Sequence, residues 1–149
     1  MSTLETLKQI IEDHRLVHIA SIDEKGLPCV RGVDYASDDK LNIYFMTHKD
    51  TRKVAQLKNN EQVSFVIDHD CASMDDLMQL KYVKGSGVAE EVTAPETIQM
   101  AFGLLAQKMP FLTNLPFNPA DMRVFKVIPT EVLVTDNTIS FGHTEIVHI

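Results

Sequence analysis

The sequence predicts an α+β domain, a small antiparallel β-barrel of about six strands with flanking helices. Three observations predict it. Apolar runs of strand length follow one another across tight polar turns, at Asp23–Gly26 and at Ser37–Lys40. Two stretches carry apolar residues at helical spacing, Leu4-Leu7-Ile10-Ile11 and Ile98-Phe102-Leu105-Met109. The chain has 149 residues, the usual size of one domain with one core. In a chain of that size the strands close on themselves more readily than they leave bare edges.

Taken in order, Ser2 and Glu5 have capping-box spacing and open a helix that ends near Asp13. Leu16 to Ile22 reads as the first strand, and Gly26 is free to take positive φ in the turn after it. Leu27 to Tyr35 returns as the second, with Pro28 near its start, where a missing N–H is tolerated. Leu41 to Thr47 is the third. Side chains alternate along it, so Tyr44 and Met46 face one side and Phe45 and Thr47 the other. The chain then breaks at His48-Lys49 and restarts as a helix that Asp50 or Thr51 can cap. Val54 and Leu57 are its buried stripe, and Asn59-Asn60-Glu61 ends it. Gln62 to Asp68 is the fourth strand, and Ser73 and Asp76 suit the start of a short helix. Lys81 to Val92 is a further strand. Thr93 and Glu96 repeat the capping-box spacing, with Pro95 in the first turn and Pro110 as the stop. Met122 to Val134 is extended with an interruption at Pro129, and Ile139 to Ile149 is a short last strand or an arm. All of this reads as one domain over residues 1–149.

Composition narrows the function. A net charge of −7 opposes general binding to nucleic acid, which needs a basic face. Cys29 and Cys71 have no CxxC spacing, and reduced thiols in a cytoplasmic protein are the expectation. The first residues, MSTLETLKQIIEDH, carry charges throughout, so they suit neither a signal peptide nor a membrane span.

Against that acidic background, one segment is basic. Thr47, Lys49, Thr51, Arg52 and Lys53 surround the strand-to-helix break in YFMTHKDTRKVAQL. A helix start offers unbonded N–H groups, and hydroxyls and fixed positive charge beside it suit a phosphate. The same residues also suit an ordinary capped helix with solvated cations.

The order of these segments resembles a known family, the pyridoxamine 5'-phosphate oxidase-like, FMN-binding split β-barrel proteins. The residues that carry the resemblance are the hairpin LVHIASIDEKGLPCVRGVDY with Arg31 in its return strand, then LNIYFMTHKDTRKVAQLKNN, QVSFVID and YVKGSGVAEEV. Together they span roughly residues 10 to 135, most of a domain. The resemblance implies an FMN cofactor at the interface of a homodimer. It implies that Thr47, Thr51, Arg52 and Lys53 hold the FMN phosphate. It places Arg31, Gly32 and Val33 on the strand against which the flavin ring lies, and Phe45 and Met46 beside the ring and ribityl chain. A guanidinium near the pyrimidine side of the ring would favour the reduced anion, and Arg31 is the candidate. True pyridoxamine phosphate oxidases add a C-terminal segment whose arginine and histidine grip the substrate. Here no arginine follows Arg123. The resemblance therefore implies the short general-stress and flavin-reductase branch, with a small-molecule substrate it does not name.

The other chemistry-bearing residues read as structural. His69, Asp70, Cys71, Asp75 and Asp76 are metal-type ligands, but their spacing fits no regular zinc pattern, and no metal is expected. Gly85-Ser86-Gly87 lacks the third glycine and the strand-turn-helix setting of a dinucleotide fingerprint, and suits a bend or a close backbone approach. Cys29 reads as a small core residue, Met100, Met109 and Met122 as core fillers, and His143 and His148 as solvated tail residues, with the lining of a partner subunit's pocket as the alternative for the two histidines. No catalytic acid or base stands out. The leading expectation is an FMN-dependent oxidoreductase that passes electrons from a reduced nicotinamide donor to a small acceptor. The alternative is a module of the same fold that holds flavin, deazaflavin or haem without turnover.

Overall fold

The computed structural model describes residues 1–149. Eight strands form one antiparallel sheet: β1 (Leu16–Ile22), β2 (Pro28–Asp34), β3 (Ala36–Ser37), β4 (Ile43–His48), β5 (Gln62–Ile67), β6 (Lys81–Val92), β7 (Met122–Asp136) and β8 (Thr144–His148). Their hydrogen-bonded order is β2-β1-β5-β6-β7-β4-β3, with β8 on β7. The path does not join β2 to β3 or β4, so the barrel is split along that seam rather than closed. The α+β class and the antiparallel split barrel are as predicted. The count is eight rather than six because β3 is only two residues long and the tail does form a strand.

Helices α1 (Thr3–Asp13) and α2 (Arg52–Asn59) feed the same core from opposite ends of β6. Leu7, Ile10 and Ile11 of α1 and Val54 and Leu57 of α2 join the inward residues Val17, Ile19, Phe45, Phe65, Val83 and Phe125. Ser2 caps α1 by accepting from the Glu5 N–H. Tyr35 lies at the end of α1, where its hydroxyl donates to the Ile11 carbonyl at 2.6 Å and Lys108 Nζ sits 3.9 Å above its ring. Helix α3 (Met74–Gln79) is short and exposed, and Ser73 caps it as expected. Helix α4 (Pro95–Lys108) covers the outer face, with Ala101, Leu105 and Met109 against Ala36, Tyr44, Met46 and Val124. Its start differs from the sequence expectation. The cap position is Ala94, no side chain caps it, and Thr93 lies one residue too early. Met100 is 40% exposed, so it fills no core.

Two turns depart from the sequence reading for identifiable reasons. Leu41 does not begin a strand: it takes φ 67° in a turn whose hub is Asp38, which accepts from the N–H groups of Lys40 and Asn42. Pro129 does not interrupt β7. Glu131 pairs with Ser86 and Pro129 with Gly87, leaving Thr130 as the extra residue of a β-bulge. The bulge explains the glycines opposite. A Cβ on Gly87 would lie 2.4 Å from the Ile128 carbonyl oxygen, and one on Gly85 would lie 2.7 Å from that of Glu131. No helix is long and apolar enough to cross a membrane.

Candidate functional site

The basic segment folds as a strand, a tight turn and a helix. Thr47 is the last inward residue of β4, opposite Arg123 on β7. The turn at His48–Thr51 is fixed from outside: the Lys49 N–H donates to the Asp121 carbonyl at 2.8 Å, and Lys49 Nζ lies 3.1 Å from the Asp121 carboxylate. Lys49 is therefore neutralised by a partner on the opposite side of the turn. Thr51 occupies the cap position of α2, but neither it nor Asp50 caps. The Thr51 hydroxyl instead donates back to the His48 carbonyl at 3.0 Å. The Arg52 and Lys53 N–H groups are consequently left without a partner in the chain. They are the orphan donors that make a helix start an anion site.

Thr51, Arg52, Lys53 and Gln56 of this region share one open groove of ≈ 350 Å³ with Cys29, Val30, Arg31 and Gly32 of β2. The barrel's seam thus brings together two segments some twenty residues apart in the chain. Arg31 reaches across it. Its Nη1 donates to Ser21 Oγ at 2.7 Å, and its Nη2 to Gln56 Oε1 at 2.5 Å. Lys53 Nζ donates to the buried Thr47 hydroxyl at 2.9 Å.

The electrostatics are one-sided. In a chain of net charge −7, no carboxylate lies within 4.0 Å of the cationic groups of Arg31, Arg52 or Lys53. Burial holds the Lys53 ammonium below its ordinary pKa, and the nearby Arg31 charge lowers it further. Burial likewise lowers Arg31, which stays charged at any physiological pH. Both shifts report positive charges held where they are poorly solvated, and the Lys53 shift also reports the Arg31 charge beside it. An anion in the groove would relieve that strain.

The nine residues the sequence points to are placed unequally. Arg31, Gly32, Thr51, Arg52 and Lys53 line the groove. Thr47 is 5% exposed and lies beneath it, acting through Lys53. Val33 is in the core, and Phe45 is 1% exposed and stacked on Phe125 with centroids 5.6 Å apart. Met46 packs under α4. The side chains of Val33, Phe45 and Met46 are therefore turned to packing rather than to the groove. Cys29 is half-buried at the groove rather than in the core. Ser21 and Gln56 are groove-building residues that the sequence reading missed. A glutamine on a helix is indistinguishable by pattern from a solvated one until β2 is folded against it.

Other clusters carry less. No three metal-type side chains converge anywhere, and His69 bonds His14 instead, Nδ1 to Nε2 at 3.1 Å. His143 and His148 lie near Glu145 and Glu131 and do not line the groove.

Residues 3–136 match the pyridoxamine 5'-phosphate oxidase family. The chain belongs to that family. Among curated proteins it is similar to General stress protein 26 of Bacillus subtilis (strain 168), 26% identical over 121 residues that cover 77% of this chain and 82% of that one. Among solved structures it resembles a haem-binding protein from Mycobacterium smegmatis with TM-score 0.81 and 16% identity, over 99% of this chain and only 58% of that one. It also resembles the haem storage protein HutZ from Vibrio cholerae with TM-score 0.70 and 18% identity, over 87% of this chain and 91% of that one. At such identities the structural likenesses establish the shared fold.

Proposed function

We propose that this member of the pyridoxamine 5'-phosphate oxidase family binds FMN through the groove between β2 and α2 and works as an oxidoreductase. The observation that carries this reading is the set of three uncompensated cations, Arg31, Arg52 and Lys53, beside the orphan N–H groups of α2. That donor set fits a phosphate monoester. Hydrogen bonds to charged groups contribute about 1.5–3 kcal/mol each. Two or three of them, less the cost of ordering, supply much of the roughly 8 kcal/mol of a micromolar complex.

The chain's own residues divide the work. Arg52 and Lys53 bind the phosphate with the first-turn amides, and Thr47 holds the Lys53 ammonium in place. Arg31 points toward α2 rather than along β2, which supports a role at the phosphate end of the ligand instead of at the ring. When bound, FMN supplies hydride-transfer chemistry at N5 of its ring. Electrons pass from a reduced nicotinamide donor to a small acceptor. The working unit is a homodimer in which a second copy covers the open side of the groove. Val30, which lines the groove and is 71% exposed, suits such cover.

A visible spectrum of the purified protein with added FMN tests the reading. Binding perturbs the flavin bands, and NADH or NADPH then bleaches them. A folded protein that leaves the FMN spectrum unchanged at tens of micromolar ligand contradicts it. A Soret band on purification would favour the haem-holding alternative, which the two haem-related structures support only through the fold.

A further inference from the structure

We infer that Gln56 is a positioning residue for Arg31, and that its amide, in place of a carboxylate, keeps the Arg31 charge available to an anionic ligand in the groove. The inference rests on the phosphate-binding reading above.

Gln56 is 4% exposed, and a buried amide must find partners. Its Oε1 accepts from Arg31 Nη2 at 2.5 Å and from Ser21 Oγ at 3.3 Å, and its Nε2 faces Cys29 Sγ at 3.7 Å. Ser21 Oγ in turn accepts from Arg31 Nη1 at 2.7 Å, and the Ile19 carbonyl lies 3.4 Å from the same nitrogen. Arg31, Ser21 and Gln56 thus close a triangle of hydrogen bonds. Every acceptor in it is neutral. The guanidinium is held in one orientation, with its Nε–H and second Nη2–H unused and its full charge uncompensated.

A carboxylate at position 56 would have nearly the same shape as the amide. It would still accept from Arg31 and Ser21, and would do so more strongly as an ion pair. The fold would lose only the contact to Cys29, but the groove would lose a net positive charge. The amide therefore bears on ligand binding more than on folding. A held but unneutralised cation is preorganised for an anion, because the cost of fixing its side chain is met before the ligand arrives.

The test is a double-mutant cycle read by FMN titration, with Gln56→Met and Arg31→Ala alone and together, each checked for fold by far-UV circular dichroism. Gln56→Met keeps the volume and removes the polar atoms without adding charge. The expected result is that it weakens FMN binding about threefold or more in the wild-type background and leaves it unchanged once Arg31 is alanine. An equal loss in both backgrounds would show a role independent of Arg31 and overturn the inference. So would unchanged affinity of the folded single variant. Gln56→Glu, whose carboxylate pairs with Arg31 and lowers the charge of the groove, provides a second arm and should weaken FMN binding at least tenfold, and unchanged affinity of that folded variant overturns the inference. Failure of the wild type itself to bind FMN would overturn the phosphate reading, whereas wild-type binding with an Arg31-independent cycle overturns only the role of Gln56.

Discussion

Lys53 Nζ donates to the buried hydroxyl of Thr47 at 2.9 Å, tying the first turn of α2 to the end of β4 through an ammonium with no carboxylate within 4.0 Å. The hydroxyl satisfies the ammonium without neutralising it. Position and charge are supplied separately, and the charge remains for a ligand.

The first prediction follows from that pair. Changing Arg52 and Lys53 together to alanine should weaken FMN binding at least tenfold, about 1.4 kcal/mol. Arg52 is exposed, and without Lys53 the Thr47 hydroxyl keeps its contact to the Thr51 hydroxyl at 3.2 Å, so the variant should stay folded. Unchanged affinity in the folded double variant would return the segment to an ordinary helix start.

A second prediction concerns Gly87. A methyl group there would sit 2.4 Å from the Ile128 carbonyl oxygen, which belongs to the backbone and cannot swing aside. Gly87→Ala should destabilise the chain by about 1–3 kcal/mol, as overpacking does. The measurement is the urea midpoint, and a midpoint equal to that of the wild type would contradict the bulge geometry.

The third is a pH dependence. Burial, with a smaller contribution from the Arg15 charge, pushes the Lys108 ammonium down to about 8 against an upward pull from Glu12 and Asp13. An unfolded lysine titrates near 10.4. Between those values the unfolded chain holds a proton that the folded chain lacks, so this position adds stability as pH rises through the window. Below it, the buried charge is a constant penalty. The stability of the wild type relative to Lys108→Met should therefore improve from about pH 7 to about pH 10 in urea unfolding. A difference that is flat or falls with pH would contradict the assignment.

Much of the fold was legible because its signals are local. Leu16–Ile22 and Lys81–Val92 have the predicted bounds, since the first is an apolar run closed by the turn at Asp23–Gly26 and the second is closed by the helix start at Pro95. Ser2 and Ser73 cap as their spacing implied. What escaped depends on distant contacts or on very short segments. Two residues of β3 are too few for a period. Pro129 signalled an irregularity, but whether a strand breaks or bulges depends on the glycines across from it. The alternation in Tyr44-Phe45-Met46-Thr47 was right, but both faces are apolar, so pattern could not say that Phe45 faces the core. The basic groove was half legible. The dense run at Thr47–Lys53 is visible in the chain, whereas its union with Arg31 through Ser21 and Gln56 appears only when β1, β2 and α2 are assembled.

Phosphate recognition in the groove is tested most directly by titrating the protein side by side with FMN and with riboflavin, which differ only in the phosphate. FMN should bind at least a hundredfold more tightly, about 2.8 kcal/mol, the worth of one or two charge-assisted hydrogen bonds. Equal affinities for the two flavins would show that Arg31, Arg52 and Lys53 do not hold a phosphate.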